Sequence, residues 1–176
     1  GFGENKNSIL GKSFTEFPYL QKTYRKNDNV LFKNVKDIEI TNTLIFLIKN
    51  DGHLYVAGIG NYIKGDSMDF VKEPVKILDN CKEFKINGNG HVIAIDNDNK
   101  AWLKGRQDKE LKDTGINNAF RIGLTSGAYF VVTRNQELYA KGNGWNYIFG
   151  NNNRGHLKSW TKIEDGVANI FPTNEF

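Results

Sequence analysis

The sequence predicts an all-β protein assembled from one antiparallel unit used several times. Three observations predict it. Glycine and asparagine are abundant, at 18 and 23 of 176 residues, while proline occurs only 3 times. Both abundant residues tolerate positive φ, so the chain is rich in positions suited to tight turns. Apolar residues alternate with polar ones over short runs, the period of a half-buried strand. Finally, the segments Leu44 to Gly58 (LIFLIKNDGHLYVAG), His91 to Gly105 (HVIAIDNDNKAWLKG) and Ala128 to Gly142 (AYFVVTRNQELYAKG) align without gaps.

Each segment reads as strand, hairpin, strand. The turns fall near 50–52, 97–99 and 134–136, with Asp51, Asp98 and Asn135 in one column. Tyr55, Trp102 and Tyr139 share a column before the closing glycine, and equivalent, largely buried positions are expected for them. A further strand precedes each hairpin: Val35 to Ile40, Cys81 to Ile86, and Asn117 to Ile122. This alignment puts Ile38, Phe84 and Phe120 in one column. Val167 to Pro172 is expected to be a fourth copy. A shorter outer strand precedes two of the copies, at Pro74 to Ile77 and Trp160 to Ile163.

The closing glycines Gly58, Gly105 and Gly142 are spaced 47 and 37 positions apart. Four strands at such a period are the signature of propeller blades. Gly1-Phe2-Gly3 opens the chain as Gly58-Ile59-Gly60 follows the first hairpin. Residues 1–11 therefore read as the end of a preceding repeat, and 12–34 as a basic, aromatic insertion. Residues 35–171 read as three repeats plus the start of a fourth, and 172–176 as a truncated repeat end. Such an array is expected not to close on itself. It would be an incomplete propeller, or one completed by a partner, since open arrays leave strand edges and apolar faces at their ends.

Three stretches carry a family resemblance: IKNDGHLYVAGIGN at 48–61, LYAKGNGWNYIFGNNNRGHL at 138–157 followed by WTKI, and GFGENKNSILG at 1–11. They resemble the regulator-of-chromosome-condensation (RCC1-like) repeat. The resemblance covers nearly the whole chain except 12–34, although the unit at 101–116 lacks the G-x-G. WD and kelch repeats fit worse, for the chain has no Trp-Asp dipeptide and no Gly-Gly pair. The resemblance implies four-stranded antiparallel blades in a propeller that serves as a binding platform. Members of that family exchange nucleotides on small GTPases, contact chromatin, or act as modules in larger proteins. The repeat columns are structural and do not choose among these roles.

Catalytic and ligand motifs are weak. Leu10-Gly11-Lys12-Ser13 has Lys6 where a phosphate-binding loop needs glycine, and no helical pattern follows. The G-x-G pairs at 58–60 and 142–144 lack the helix that would hold a pyrophosphate. Asp96 to Lys100 begins like a calcium loop, but Ala101 and Gln107 stand where glycine and glutamate are required. Cys81 shares a column with Val35 and Val167, which makes it a small core residue. His53, His91 and His156 have no ligand-forming spacing. The expectation is a chain that is no enzyme, with no catalytic residue, metal or cofactor.

Charge is more informative. Residues 1–36 carry seven basic and three acidic side chains, which accounts for the whole net charge of +4. Lys12, Lys22, Arg25, Lys26 and Lys33, interleaved with aromatics, are candidates for binding nucleic acid or an acidic partner. In the loop 143–160, Trp145, Tyr147, Arg154 and His156 are candidates for partner binding, being residue types favoured at interface hot spots. Trp160 is expected mostly in the core. No apolar run approaches a membrane span, and no Asn-x-Ser/Thr acceptor is present. The functional expectation is a non-enzymatic, intracellular protein-binding or structural module of a larger protein or complex, cytoplasmic or nuclear. The alternatives are a guanine-nucleotide exchange factor for a small GTPase and a nucleic-acid-associated accessory protein using residues 1–36.

Overall fold

The structure, a computed structural model, describes residues 34–41, 43–59, 63, 70–105, 108–144, 148–149 and 155–171. Most of the expected segments 1–11, 12–34 and 172–176 therefore lies outside the described residues.

Three four-stranded antiparallel sheets follow one another along the chain. Blade 1 consists of β1 (Val35–Ile40), β2 (Leu44–Lys49), β3 (Leu54–Ile59) and β4 (Phe70–Leu78). Blade 2 consists of β5 (Cys81–Ile86), β6 (Val92–Asp96), β7 (Ala101–Lys104) and the short β8 (Lys112–Asp113). Blade 3 consists of β9 (Ala119–Leu124), β10 (Ala128–Thr133), β11 (Leu138–Asn143) and β12 (His156–Glu164). In each blade, strands neighbouring in sequence are neighbours in the sheet. The chain divides into two compact units. Blade 1 lies in the first, and blades 2 and 3 form the second.

The gapless alignment reflects one hairpin built three times. The N–H groups of Lys49, Asp96 and Thr133 donate to the carbonyls of His53, Lys100 and Glu137 at 3.2, 3.1 and 3.0 Å. Inside each turn, Gly52, Asn99 and Gln136 donate back to Lys49, Asp96 and Thr133. These three turn residues have φ of 82, 60 and 63°, the left-handed region that glycine and asparagine reach at least cost.

Two of the closing glycines have a steric reason. Gly58 pairs with Leu44 and Gly142 with Ala128 at φ of 122 and 116°. A Cβ there would sit 2.2 Å from the Thr43 carbonyl oxygen and 2.3 Å from that of Gly127. Gly105 does not share this geometry. The ladder of blade 2 ends one residue earlier, with Val92 opposite Lys104.

The first strands differ from the sequence alignment in one respect. Each carries a bulge after its first residue: Val35 faces Lys49 but Asp37 faces Ile48, and Cys81 faces Asp96 but Glu83 faces Ile95. In blade 3 the corresponding pairs are Ala119 with Thr133 and Arg121 with Val132. Left-handed Asn34, Asn80 and Asn118 precede them. The third copy thus begins at Ala119, not Asn117. Ile122 takes the column of Ile38 and Phe84, while Phe120 becomes the bulged residue, equivalent to Lys36 and Lys82. The two registers differ by two residues and place the same side chains on the same face, so alternation alone cannot separate them.

The expected fourth copy starts but makes no strand. Gly166 has φ 75°, like the asparagines above. The Val167 N–H donates to the Gln136 carbonyl at 2.9 Å, as the Ala119 N–H does to Asn99 at 2.8 Å. Residues 167–171 then form no ladder, and no strand among the described residues pairs with them.

Blades 2 and 3 share an apolar core. Ile93, Ile95 and Leu103 pack with Ile122, Leu124 and Val131, and half-buried Tyr139 and Trp160 close its edge. Trp160 thus takes a core-edge position. Burying each such aliphatic side chain contributes about 1.5–3 kcal/mol. Cys81 is likewise buried and its thiol lies 3.5 Å from the Glu83 carbonyl.

The β1 strand of blade 1 lacks an equivalent cover. Ile38 and Ile40 are 43% and 59% exposed, whereas Phe84, Ile122 and Leu124, in the same columns, are 1%, 4% and 6% exposed and Ile86 is partly buried.

Candidate interaction surfaces

The loop after β11 is closed at its neck by backbone. The Gly144 N–H donates to the Gly155 carbonyl at 3.1 Å. A Cβ on Gly144 would lie 2.4 Å from that oxygen, so both arms approach because this position has no side chain. Phe149 anchors the loop, buried against Phe130 with ring centroids 6.1 Å apart. His156 is the exposed first residue of β12, opposite Asn143. Ile148 is exposed beside the anchor. Trp145, Tyr147 and Arg154 lie outside the described residues, as do Lys12, Lys22, Arg25, Lys26 and Lys33.

The turn of blade 1 carries a network of charged and polar groups. The Tyr55 hydroxyl donates to Asp51 Oδ2 at 2.7 Å, and the His53 N–H donates to Asp51 Oδ1 at 3.0 Å. Lys49 Nζ stands 4.1 Å from the centroid of the Tyr55 ring. The His53 N–H and then the Tyr55 hydroxyl hold the Asp51 carboxyl below the ordinary carboxylate range, and Asp51 in turn pushes the Tyr55 hydroxyl up. Lys76 Nζ, 2.7 Å from Asp79 Oδ1, lowers that carboxyl too. His53 Nδ1 accepts the Asn80 N–H at 3.2 Å, so it carries no proton there. Asp79, at 3.3 Å, is therefore not its ion-pair partner in this state. Blade 3 reuses the lysine: Lys162 bonds Asp165 at 3.1 Å and lies 3.5 Å from Glu137, and both raise its affinity for a proton.

These shifts fix a pH dependence. Lowered folded-state values for Asp51 and Asp79 mean stabilisation that is present above the ordinary carboxylate range and is lost as pH falls through the folded values. The raised Tyr55 value adds stabilisation that is present below the ordinary phenol range and is lost as pH rises through the folded value. The Asp51 carboxyl followed by NMR is expected to titrate below a reference aspartate, and Tyr55→Phe should move it back toward that reference. An Asp51 midpoint unmoved by Tyr55→Phe would show that the hydroxyl bond does not persist in solution.

The aromatic column is half-buried rather than buried. Trp102 Nε1 donates to Asp96 Oδ2 at 2.8 Å, while Asp96 Oδ1 accepts the Lys100 N–H at 2.9 Å. Tyr55 and Trp102 each bond an aspartate of their own hairpin through the polar edge of the ring, an exposed one for Tyr55 and a buried one for Trp102. Among the described residues no group of three His, Cys, Asp or Glu side chains could hold a metal ion.

A third cluster joins residues far apart in sequence. The Phe120 ring has the Arg121 guanidinium 4.0 Å from its centroid and that of Arg134 5.5 Å away. Arg134 Nη2 and Lys82 Nζ both donate to Asn99 Oδ1, at 3.4 and 3.0 Å. The sequence hides this cluster, because residues 37–176 carry no net charge. Its legible signal is the bulge column Lys36, Lys82 and Phe120, at which a bulge re-aims side chains.

Blades of this size and order have relatives among solved structures. Prp20p of Saccharomyces cerevisiae matches over 94% of this chain and 46% of its own, at 15% identity and TM-score 0.63. The same yeast protein, RCC1 (Prp20), bound by Kap60, matches over 94% and 44% at TM-score 0.66 and 15% identity. Human WBSCR16 matches over 81% and 42% at 13% identity and TM-score 0.61. The chain has the RCC1-like β-propeller fold. It spans less than half the length of these structures. No protein-family profile matches it, and no curated protein does.

Proposed function

We propose that these RCC1-like blades form a non-enzymatic protein-binding module of a larger protein or complex. One observation carries the reading. Ile38 and Ile40 are exposed, whereas Phe84, Ile122 and Leu124 in the same columns are buried and Ile86 is partly buried. A face built like a blade seam favours a protein neighbour, since exposed contiguous apolar surface marks interaction sites. A fold relative supports it: yeast Prp20 is described in one structure with its binding to Gsp1p and histones and in another bound by Kap60. Among the described residues no helix is long and apolar enough to cross a membrane. A cytoplasmic or nuclear setting suits this reading.

Guanine-nucleotide exchange is the second reading, favoured by the same fold relatives alone. Release of a fluorescent guanine nucleotide from a small GTPase separates the two. The binding-module reading expects no acceleration by the 176-residue chain. An acceleration of roughly tenfold or more, a barrier change of about 1.4 kcal/mol, would replace it with the exchange reading.

A further inference from the structure

We infer that the seam between blades 2 and 3 carries a docking surface for an acidic protein segment, centred on Lys82, Arg121 and Arg134. The inference rests on the protein-binding reading above but concerns a different surface from Ile38 and Ile40. Lys82 and Arg134 are exposed, and Arg121 is half-buried. None of the three has a carboxylate within 4.0 Å among the described residues. Elsewhere in the chain Lys76 and Lys162 do have carboxylate partners. Here Lys82 and Arg134 converge on one neutral amide oxygen, Asn99 Oδ1. Two cations sharing a neutral acceptor keep their mutual repulsion, which an incoming anion would relieve.

The cluster is held by the fold and not by flexible side chains alone. The Ala119 N–H bonds the Asn99 carbonyl at 2.8 Å, and the Arg134 N–H bonds the Asn118 carbonyl at 2.8 Å. These bonds fix the turn of blade 2, the start of blade 3 and the turn of blade 3 against one another. Arg121 is set by donating to the Phe120 carbonyl at 3.2 Å. Both guanidinium groups lie within cation–π reach of the Phe120 ring, and a guanidinium so placed keeps N–H groups that can donate to a carboxylate.

Carboxylates suit the surface better than nucleic acid. Single strands bind through aromatic faces open for base stacking. Here the Phe120 ring already carries Arg121 at 4.0 Å. The three cations also form a compact knot, not the long stripe that tracks a phosphate backbone.

The test uses the full chain and a fluorescein-labelled peptide of alternating glutamate and glycine, read by anisotropy at low salt. The double variant Lys82→Ala/Arg134→Ala is expected to weaken binding at least roughly tenfold. The charge-matched control Lys141→Ala/Lys158→Ala, elsewhere on blade 3, should stay within about twofold. Should the double variant lose its melting transition, exposed Lys82→Ala alone carries the test, with roughly a threefold loss expected. Equal weakening by the control overturns the inference in favour of diffuse charge, and so does absence of binding by the wild type. A single-stranded oligonucleotide that binds tighter than the peptide, and loses affinity with the same variants, overturns it in favour of nucleic acid. Protein binding through Ile38 and Ile40, on blade 1, does not involve these side chains, so failure here leaves the protein-binding reading standing.

Discussion

Gly142→Ala should destabilise the second unit by at least about 3 kcal/mol, the sum of backbone strain and overpacking. Two costs coincide at this position. Its φ of 116° is one that an L side chain rarely adopts, and the added Cβ would meet the Gly127 oxygen at 2.3 Å and the Ala128 Cα at 2.9 Å. Those are backbone atoms at the entry to β10, where the Gly127 oxygen accepts the Asn143 N–H, and they cannot swing aside. Gly58→Ala should behave alike in blade 1, against the Thr43 oxygen at 2.2 Å. Two controls bracket the effect. Gly52 has positive φ but open space, so Gly52→Ala should cost only about 1 kcal/mol. Gly88 has neither constraint, and Gly88→Ala should be near neutral. Urea unfolding of the four variants gives the order. A Gly142→Ala loss no larger than that of Gly52→Ala would contradict the close strand approach.

Trp102→Ala should cost roughly 2–4 kcal/mol. The ring is half-buried, so the packing loss falls below that of a fully buried tryptophan. The indole N–H, however, satisfies Oδ2 of the buried Asp96 carboxylate. Its removal leaves that oxygen without its donor, and an unsatisfied buried acceptor costs about 1–3 kcal/mol. Trp102→Phe separates the two contributions, since it keeps much of the ring and loses the donor. Urea melts should place it between the wild type and Trp102→Ala. If Trp102→Phe matched the wild type, the indole–Asp96 bond would have no energetic role.

The blades were legible because the hairpin is local. Its turn residues, its alternation and its closing glycines lie within one short window, and all three turns fall where the columns put them. The bulge was not legible. Asn117-Asn118-Ala119-Phe120 offers two registers with the same facing, and only the left-handed Asn118 and its bond to the Arg134 N–H select between them. The column of Tyr55 and Trp102 was legible as a column but not in its burial, which depends on polar edges bonding Asp51 and Asp96. The Lys82–Arg134 cluster was invisible for another reason. It is assembled across a blade seam from residues 52 positions apart, and the neighbouring acidic residues cancel it in any count of charge.

Equilibrium sedimentation tests the central claim, that the β1 face of blade 1 is built to be covered by protein. The isolated 176-residue chain should show a weight-average mass that rises above the monomer with concentration, because Ile38 and Ile40 seek apolar cover. The double variant Ile38→Lys/Ile40→Lys should sediment as a monomer with an unchanged circular dichroism spectrum. A wild-type chain that stays monomeric at every concentration, with β1 amides as protected from hydrogen exchange as those of β9, would contradict the claim.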